Sequence, residues 1–320
     1  MTVSTVSEQM RSAAMTLLRA MDDEQRAQAA LPFGDEPARR WLEYRPRRRP
    51  GACLALLEPA ARKAAHRLLA TGLSDRAYAQ AMAIIALEEV LDRRERWQRG
   101  RHSGDYWVSV FGAPEADEPW SWRFEGHHLS VSMTLLGEDI SPAPVFLGAN
   151  PARVVYAGRA VSGPLAPEED LARALIEEMG PAGRAVAVVA DQAPPDIRTG
   201  TRSRAGRTLE PLGIPARSLR PTPRALLSQL VALYLDRLPH QLATVQSARI
   251  GAGEVYFAWE GATASGTRHY YRVQGDDLLI EYDNTAVDGN HAHTVLRRPS
   301  GDFGEDILAR HYAEAHSPAS

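Results

Sequence analysis

The 320-residue chain has a single cysteine, Cys53, and a single lysine, Lys63. One thiol excludes an internal disulfide framework and any cysteine-based zinc knuckle. Beside Leu54, Leu56 and Leu57, it reads as a small core residue. One lysine argues against Schiff-base and pyridoxal chemistry, which need a dedicated amine. No apolar run is long enough to cross a bilayer, and residues 1–30 hold no continuous apolar segment of the export type. The expected location is therefore cytoplasmic, with no membrane partner. Glycine-rich phosphate loops, a Gly-x-Ser-x-Gly elbow and a His-Glu-x-x-His helix are all missing, so no nucleotide cofactor is expected. A net charge of −3 is too near neutral to suggest nucleic acid. The arginine-rich stretches 45–49 and 198–207 are short and read as solvated loops. The expected partner is a small-molecule ligand.

The period of the apolar residues divides the chain near residue 100. Before it, helices are expected at 4–21, after Met21, at 58–71 and at 75–97, the last with Ser74 as N-cap. A proline-broken segment, 32–51, interrupts them. Its Trp41, Tyr44 and Arg49 either reach over a pocket or anchor the segment to the core. After residue 100 strand formers take over, at 106–111, 122–136, 142–150, 185–190, 254–260, 268–274, 277–284 and 291–297. Helices are expected at 167–179, 221–238 and 302–316. Gln274-Gly275-Asp276-Asp277 is a natural hairpin turn. Neighbouring strands joined by such turns imply an α+β fold: a helical region, 1–100, packed on an α+β domain, 101–320, as one globular unit with a largely antiparallel sheet.

What the chain does hold is histidine in two places. Glu125-Gly126-His127-His128 and Asn290-His291-Ala292-His293 together carry four of its ten histidines. On a strand, side chains alternate, which would put His127 and His128 on opposite faces, with His128 the more accessible. His291 and His293, two apart, would face the same way, a common means of presenting two metal-binding nitrogens. Glu281 and Asp283 share a face by the same rule. The expected site is a divalent metal on His127 or His128 with His291 and His293. Glu281 or Asp283 would be a fourth ligand or general base, and Glu125 would orient an imidazole. Arg123, Arg272 and Arg297 could anchor an acidic substrate, or pair structurally. Zinc, with hydrolysis, is the leading reading, and iron or copper with oxygen chemistry the next. A non-catalytic metal- or ligand-binding protein, and a metal-free acid–base enzyme pairing Asp283 with His291, stay open.

Several runs of this chain resemble a bacterial family known as domain of unknown function 3500. They are Trp120 to Ser130, Phe146 to Ala152, Tyr270 to Gly275, Leu279 to Thr285, Asn290 to Val295, and Asp302-Phe303-Gly304 with His311-Tyr312. Ser121 stands where the family usually has glycine. The resemblance brings no activity. It implies that the two histidine runs belong to one characteristic pattern.

Overall fold

A computed structural model describes residues 2–115, 118–206, 208–251 and 253–315. Helices α1 (Val3–Ala20) and α2 (Asp23–Ala29) lead into strand β1 (Ala30–Leu31), the short helix α3 (Glu36–Arg39) and β2 (Ala52–Cys53). Helices α4 (Pro59–Thr71) and α5 (Asp75–Arg94) follow. Asp22 and Ser74 cap α2 and α5 through side-chain bonds to the third residue on, satisfying amides the helix leaves open. Then come β3 (Tyr106–Phe111), β4 (Trp120–Gly126), β5 (Leu129–Leu136), β6 (Asp139–Ser141), β7 (Val145–Ala149), β8 (Val154–Tyr156) and β9 (Arg159–Ser162). Helices α6 (Ala166–Glu178) and α7 (Gly180–Ala187), strands β10 (Val188–Ala190) and β11 (Ile214–Pro215), and helices α8 (Pro221–Leu235) and α9 (His240–Ile250) form the middle. The chain closes with β12 (Tyr256–Gly261), β13 (His269–Gly275), β14 (Leu278–Ala286), β15 (His291–Arg297) and α10 (Glu305–Ala315).

The fold is α+β, as expected. One sheet runs β1-β3-β4-β5-β7-β15-β14-β13-β12-β10, antiparallel except at its two ends, where β1–β3 and β10–β12 pair in parallel. Strands β1 and β2, from the first hundred residues, join it directly. The register brings the two distant histidine runs side by side, because β7 pairs with both β5 and β15.

The two sheet faces differ in chemistry. One carries Trp122, Phe124, Val131, Met133, Leu147, Leu296, Ile280, Tyr282, Tyr271 and Trp259, all buried in one apolar core that also includes residues of α1, α4, α5, α6 and α8. The three tryptophans Trp120, Trp122 and Trp259 are fully buried; rings of this size bury about 150–250 Å² each and dominate a core. The other face carries Glu125, Ser130, Phe146, Val295, Glu281 and Arg272 in one row across the strands, with Arg123 two residues from Glu125 on the same face. Gly148, His293, Asp283 and Tyr270 form the next row. Tyr44 from the proline-broken segment, Ile197 from the loop after β10, and Phe303 pack on this face with Phe146 and Val295.

Several expected elements need correction. The single strand 122–136 is two strands joined by a turn at His127–His128. Residues 180–187 are helix, and the strand expected from 185 spans only Val188–Ala190, because a short apolar run does not distinguish the two. The helix expected over 221–238 ends at Leu235 and a further one begins at His240, since Pro239 disfavours helical backbone in the residue before it. The closing helix starts at Glu305, after a tight turn at Asp302–Gly304, and the end expected for it, His316, lies outside the described residues, as does Arg207. Among the described residues, no helix is long and apolar enough to cross a membrane.

Candidate metal centre

Three imidazoles converge. His128 Nε2 lies 2.8 Å from His291 Nε2, which lies 3.0 Å from His293 Nε2. The rings splay about this point, His291 standing at 79° to His128 and 81° to His293. Bonds of about 2.0–2.1 Å to one tetrahedral ion would set ligand nitrogens about 3.3 Å apart, against 2.8 Å and 3.0 Å for the two pairs that include His291 and an upper bound of 4.8 Å for the ligand atoms of all three rings. Without a cation the arrangement is awkward. His291 Nε2 offers one proton or one in-plane lone pair, so it can be in line with only one of its two neighbours. A cation between the three satisfies all of them.

Each histidine is positioned by its own local device. His128 is the second turn residue of the β4–β5 hairpin, at φ 63°, a left-handed conformation uncommon outside glycine. Such a backbone, costing about 1–2 kcal/mol, is held where the surroundings over-determine it. Here the His128 amide donates to the Tyr44 carbonyl at 3.0 Å, and its own carbonyl accepts from Gly148 at 2.7 Å. Gly126 is required because a Cβ there would meet the Tyr106 ring at 2.2 Å, and the Tyr106 hydroxyl donates to the His127 carbonyl beneath the turn. His291 and His293 lie on β15 with Ala292 turned to the apolar core between them. Asn290, just before, accepts from the Arg153 amide at 2.7 Å and fixes the strand's entry.

Electrostatics sort the three rings. Burial, then the neighbouring histidines, push His128 well below the usual histidine range and His291 down to about 3, so both are neutral and ligand-ready. Burial also works against charge on His293, but hydrogen bonds to Asp196 and Asp283 outweigh it and hold this ring up at about 9. Its Nδ1 lies 2.9 Å from Asp196 Oδ1 and 3.5 Å from Asp283 Oδ2. Asp196 is in turn held by the Tyr44 hydroxyl at 2.8 Å. Tyr44 stacks on Phe146 at 4.1 Å and lies 4.9 Å from His293, so the proline-broken segment both anchors to the core and covers the site.

The structure distributes the remaining sequence candidates elsewhere. His127 stands beside the cluster: its ring stacks on His128 at 3.6 Å while Nδ1 meets Glu88 of α5 at 2.6 Å. Both turn histidines are buried, His128 at 2% exposure more deeply than His127 at 8%, so strand alternation and the expected accessibility of His128 do not apply. Asp283 sits on the Nδ1 side of His293, away from the three Nε2 atoms, and also accepts from Thr285. Glu281 is held by Thr199, Tyr270 and the Arg198 amide. Glu125 pairs with Arg123 at 2.8 Å and accepts from Ser130, so it orients no imidazole; Asp196 stands behind His293 instead. Arg272 is paired to Glu260 and Arg297 to Asp302, each at 2.7 Å, and all three guanidiniums are buried.

Sequence reasoning missed Glu88 and Asp196. Glu88 left a trace: it falls among Ile84, Ile85 and Leu91 on the inward stripe of α5, where a carboxylate demands a partner. Asp196, after two prolines in a long loop, left none.

Gly148 faces His293 across the β7–β15 pair. A Cβ there would stand 2.8 Å from His128 Cδ2 and 3.1 Å from His293 Cδ2. Gly148→Ala is expected to push the two rings apart and cut metal occupancy several-fold, while overpacking costs about 1–3 kcal/mol. Metal analysis and denaturant unfolding of the variant check this; unchanged occupancy would contradict the tight-packing argument.

The arrangement is that of an α+β protein with a three-imidazole cluster backed by carboxylates. The chain belongs to the family described as protein of unknown function (DUF3500), whose model matches residues 4–305. No curated protein and no solved structure matches it.

Proposed function

We propose that the protein binds one divalent transition metal through the Nε2 atoms of His128, His291 and His293 and uses it to hydrolyse a small polar molecule. The reading is carried by His291 Nε2 lying within hydrogen-bonding distance of both His128 Nε2 and His293 Nε2, with ligand atoms of all three rings within 4.8 Å of one another. Three protein ligands leave a fourth position open, the pattern of catalytic rather than structural zinc. Imidazole ligands suit zinc first, then copper or iron, for which oxygen chemistry replaces hydrolysis. Zinc bound in this way supplies hydroxide at neutral pH. Around it, Asp196 and Asp283 fix the His293 ring and raise its basicity, and the Tyr44 and Phe146 rings narrow the approach of water.

A non-catalytic metal-binding role is favoured by one observation. Of the carboxylates available as general base, Glu281 is committed to other hydrogen bonds and Asp283 faces Nδ1 of His293, away from the Nε2 atoms. Metal analysis of the untagged protein, beside His291→Ala/His293→Ala, tests the shared premise. Near-stoichiometric metal lost in the variant is expected, and its identity chooses between hydrolysis and oxygen chemistry. No metal in either protein after incubation with zinc, iron and copper would sink both readings.

A further inference from the structure

The His127 ring separates the three-histidine cluster from a second feature, a cleft of about 680 Å³. Its walls are the proline-broken segment at Pro46–Gly51, the chain following α5, and Trp107 of β3, with Glu88 and His127 among the lining residues. Five arginines line it, Arg47, Arg48, Arg49, Arg99 and Arg101, against two acids, Glu88 and Asp105. Most of those charges are matched. Arg101 is bound to Glu95 at 2.8 Å, and Arg47 and Arg99 lie 3.4 Å and 3.6 Å from Glu43 and Glu95.

Two are not matched. Arg49 is buried, at 4% exposure, yet it donates only to the carbonyl oxygens of Glu43, Arg45, Arg47 and Gly126. Arg48 is exposed and is bonded to no carboxylate among the described residues. A buried guanidinium bonded to no carboxylate, and reached by Glu125 and Glu43 only through space, has its desolvation offset only in part. An anion entering the cleft would repay it. Trp107 adds a flat apolar wall, its ring 5.5 Å from the Arg49 guanidinium.

We propose that this cleft binds a small organic dianion, a phosphate monoester or a paired carboxylate. Its charge lies against Arg48 and Arg49, and its apolar part on Trp107. Two cations bonded to no carboxylate match a charge of two, and the cleft volume of about 680 Å³ sets the size, that of a small-molecule site. The exposed planar fork of Arg48 binds phosphoryl and carboxylate groups alike through paired hydrogen bonds, while Arg49, whose N–H groups are held by carbonyl oxygens, contributes its charge. The proposal goes beyond the metal reading, since the cleft needs no ion to hold its ligand. Because His127 both lines the cleft and stacks on His128, one side of the cleft lies beside the histidine cluster.

The sole cysteine provides the test. Cys53 lines the same cleft and is half-buried, so a bound ligand shields it from a thiol reagent. The alkylation rate of Cys53 in the metal-free full chain is to be followed with phenyl phosphate or phthalate at constant ionic strength. Protection at least several-fold by either dianion is expected, and the more effective of the two identifies the source as phosphoryl or carboxylate. In Arg48→Gln the concentration needed should rise about tenfold. Thermal unfolding and metal content of that variant should not change. No protection by either compound, or equal protection of Arg48→Gln, would overturn the proposal. Because the assay is run without metal, its failure and the failure of the metal reading are separate results.

Discussion

Asp196→Asn is expected to weaken metal binding at the histidine cluster by about 10- to 100-fold, the range usual for loss of a carboxylate behind a metal-bound imidazole. The reason is geometric as well as electrostatic. Asp196 Oδ1 accepts from the His293 Nδ1–H at 2.9 Å, which turns Nε2 toward the other two imidazoles; with this ring held up at about 9, a metal binds there by displacing the Nε2 proton. Asp283 stands behind the same nitrogen at a longer 3.5 Å and is bonded to Thr285, so it substitutes only in part. The amide keeps the shape of the carboxylate and can still accept from Tyr44, which separates loss of charge from loss of packing. Tyr44→Phe should cost less, on the order of one ordinary hydrogen bond, about 1 kcal/mol. Competition against a chromophoric chelator measures both, with far-ultraviolet circular dichroism checking the fold. Wild-type affinity in Asp196→Asn would mean that this carboxylate does not orient a ligand.

The largest loss of stability is expected behind the site, at Glu168. This carboxylate, fully buried on α6, accepts from Arg237 and from Gln80 of α5, each at 3.1 Å. Arg237 is itself fully buried and also donates to Thr294 of β15 at 2.7 Å. The Tyr271 hydroxyl donates to the Glu168 carbonyl at 3.0 Å and meets the Tyr234 hydroxyl at 2.8 Å. The network ties α5, α6 and α8 to the apolar face of the sheet, one residue away from His293. Glu168→Ala leaves the Arg237 charge in the core without its partner, and breaking one side of a buried pair costs about 3–5 kcal/mol. The exposed pair Arg268–Asp288 is the control, where Arg268→Ala should change stability by less than about 1 kcal/mol. Urea unfolding of both variants makes the comparison. Equal, small effects would show that Arg237 finds water or another partner.

Local chemistry in the chain already specified much of this. Helices α1, α4, α5 and α6 follow from their apolar period and their capping or proline starts, because a helix must bury one stripe and close its first turn. Strands β13 and β14 with the Gly275 turn follow from alternation, and so does the shared face of His291 and His293. The meeting of the two histidine runs does not follow. It depends on β7 sitting between β5 and β15, a pairing of residues about 145 positions apart that no local period encodes.

Other features depend on neighbours in the same way. The turn at His127–His128 reads locally as continued strand, since a left-handed histidine is sustained only by the Tyr44 carbonyl and the Gly148 amide, both remote in the chain. Arg123, Arg272 and Arg297 read in sequence as substrate anchors or as structural pairs, and only the fold shows each buried against a carboxylate, because a charge enters a core only when the fold supplies its partner. Residue types and their spacing thus set which side chains can bind metal. Sheet order and two long loops set which of them meet, because convergence of distant groups is a property of packing and not of local conformation.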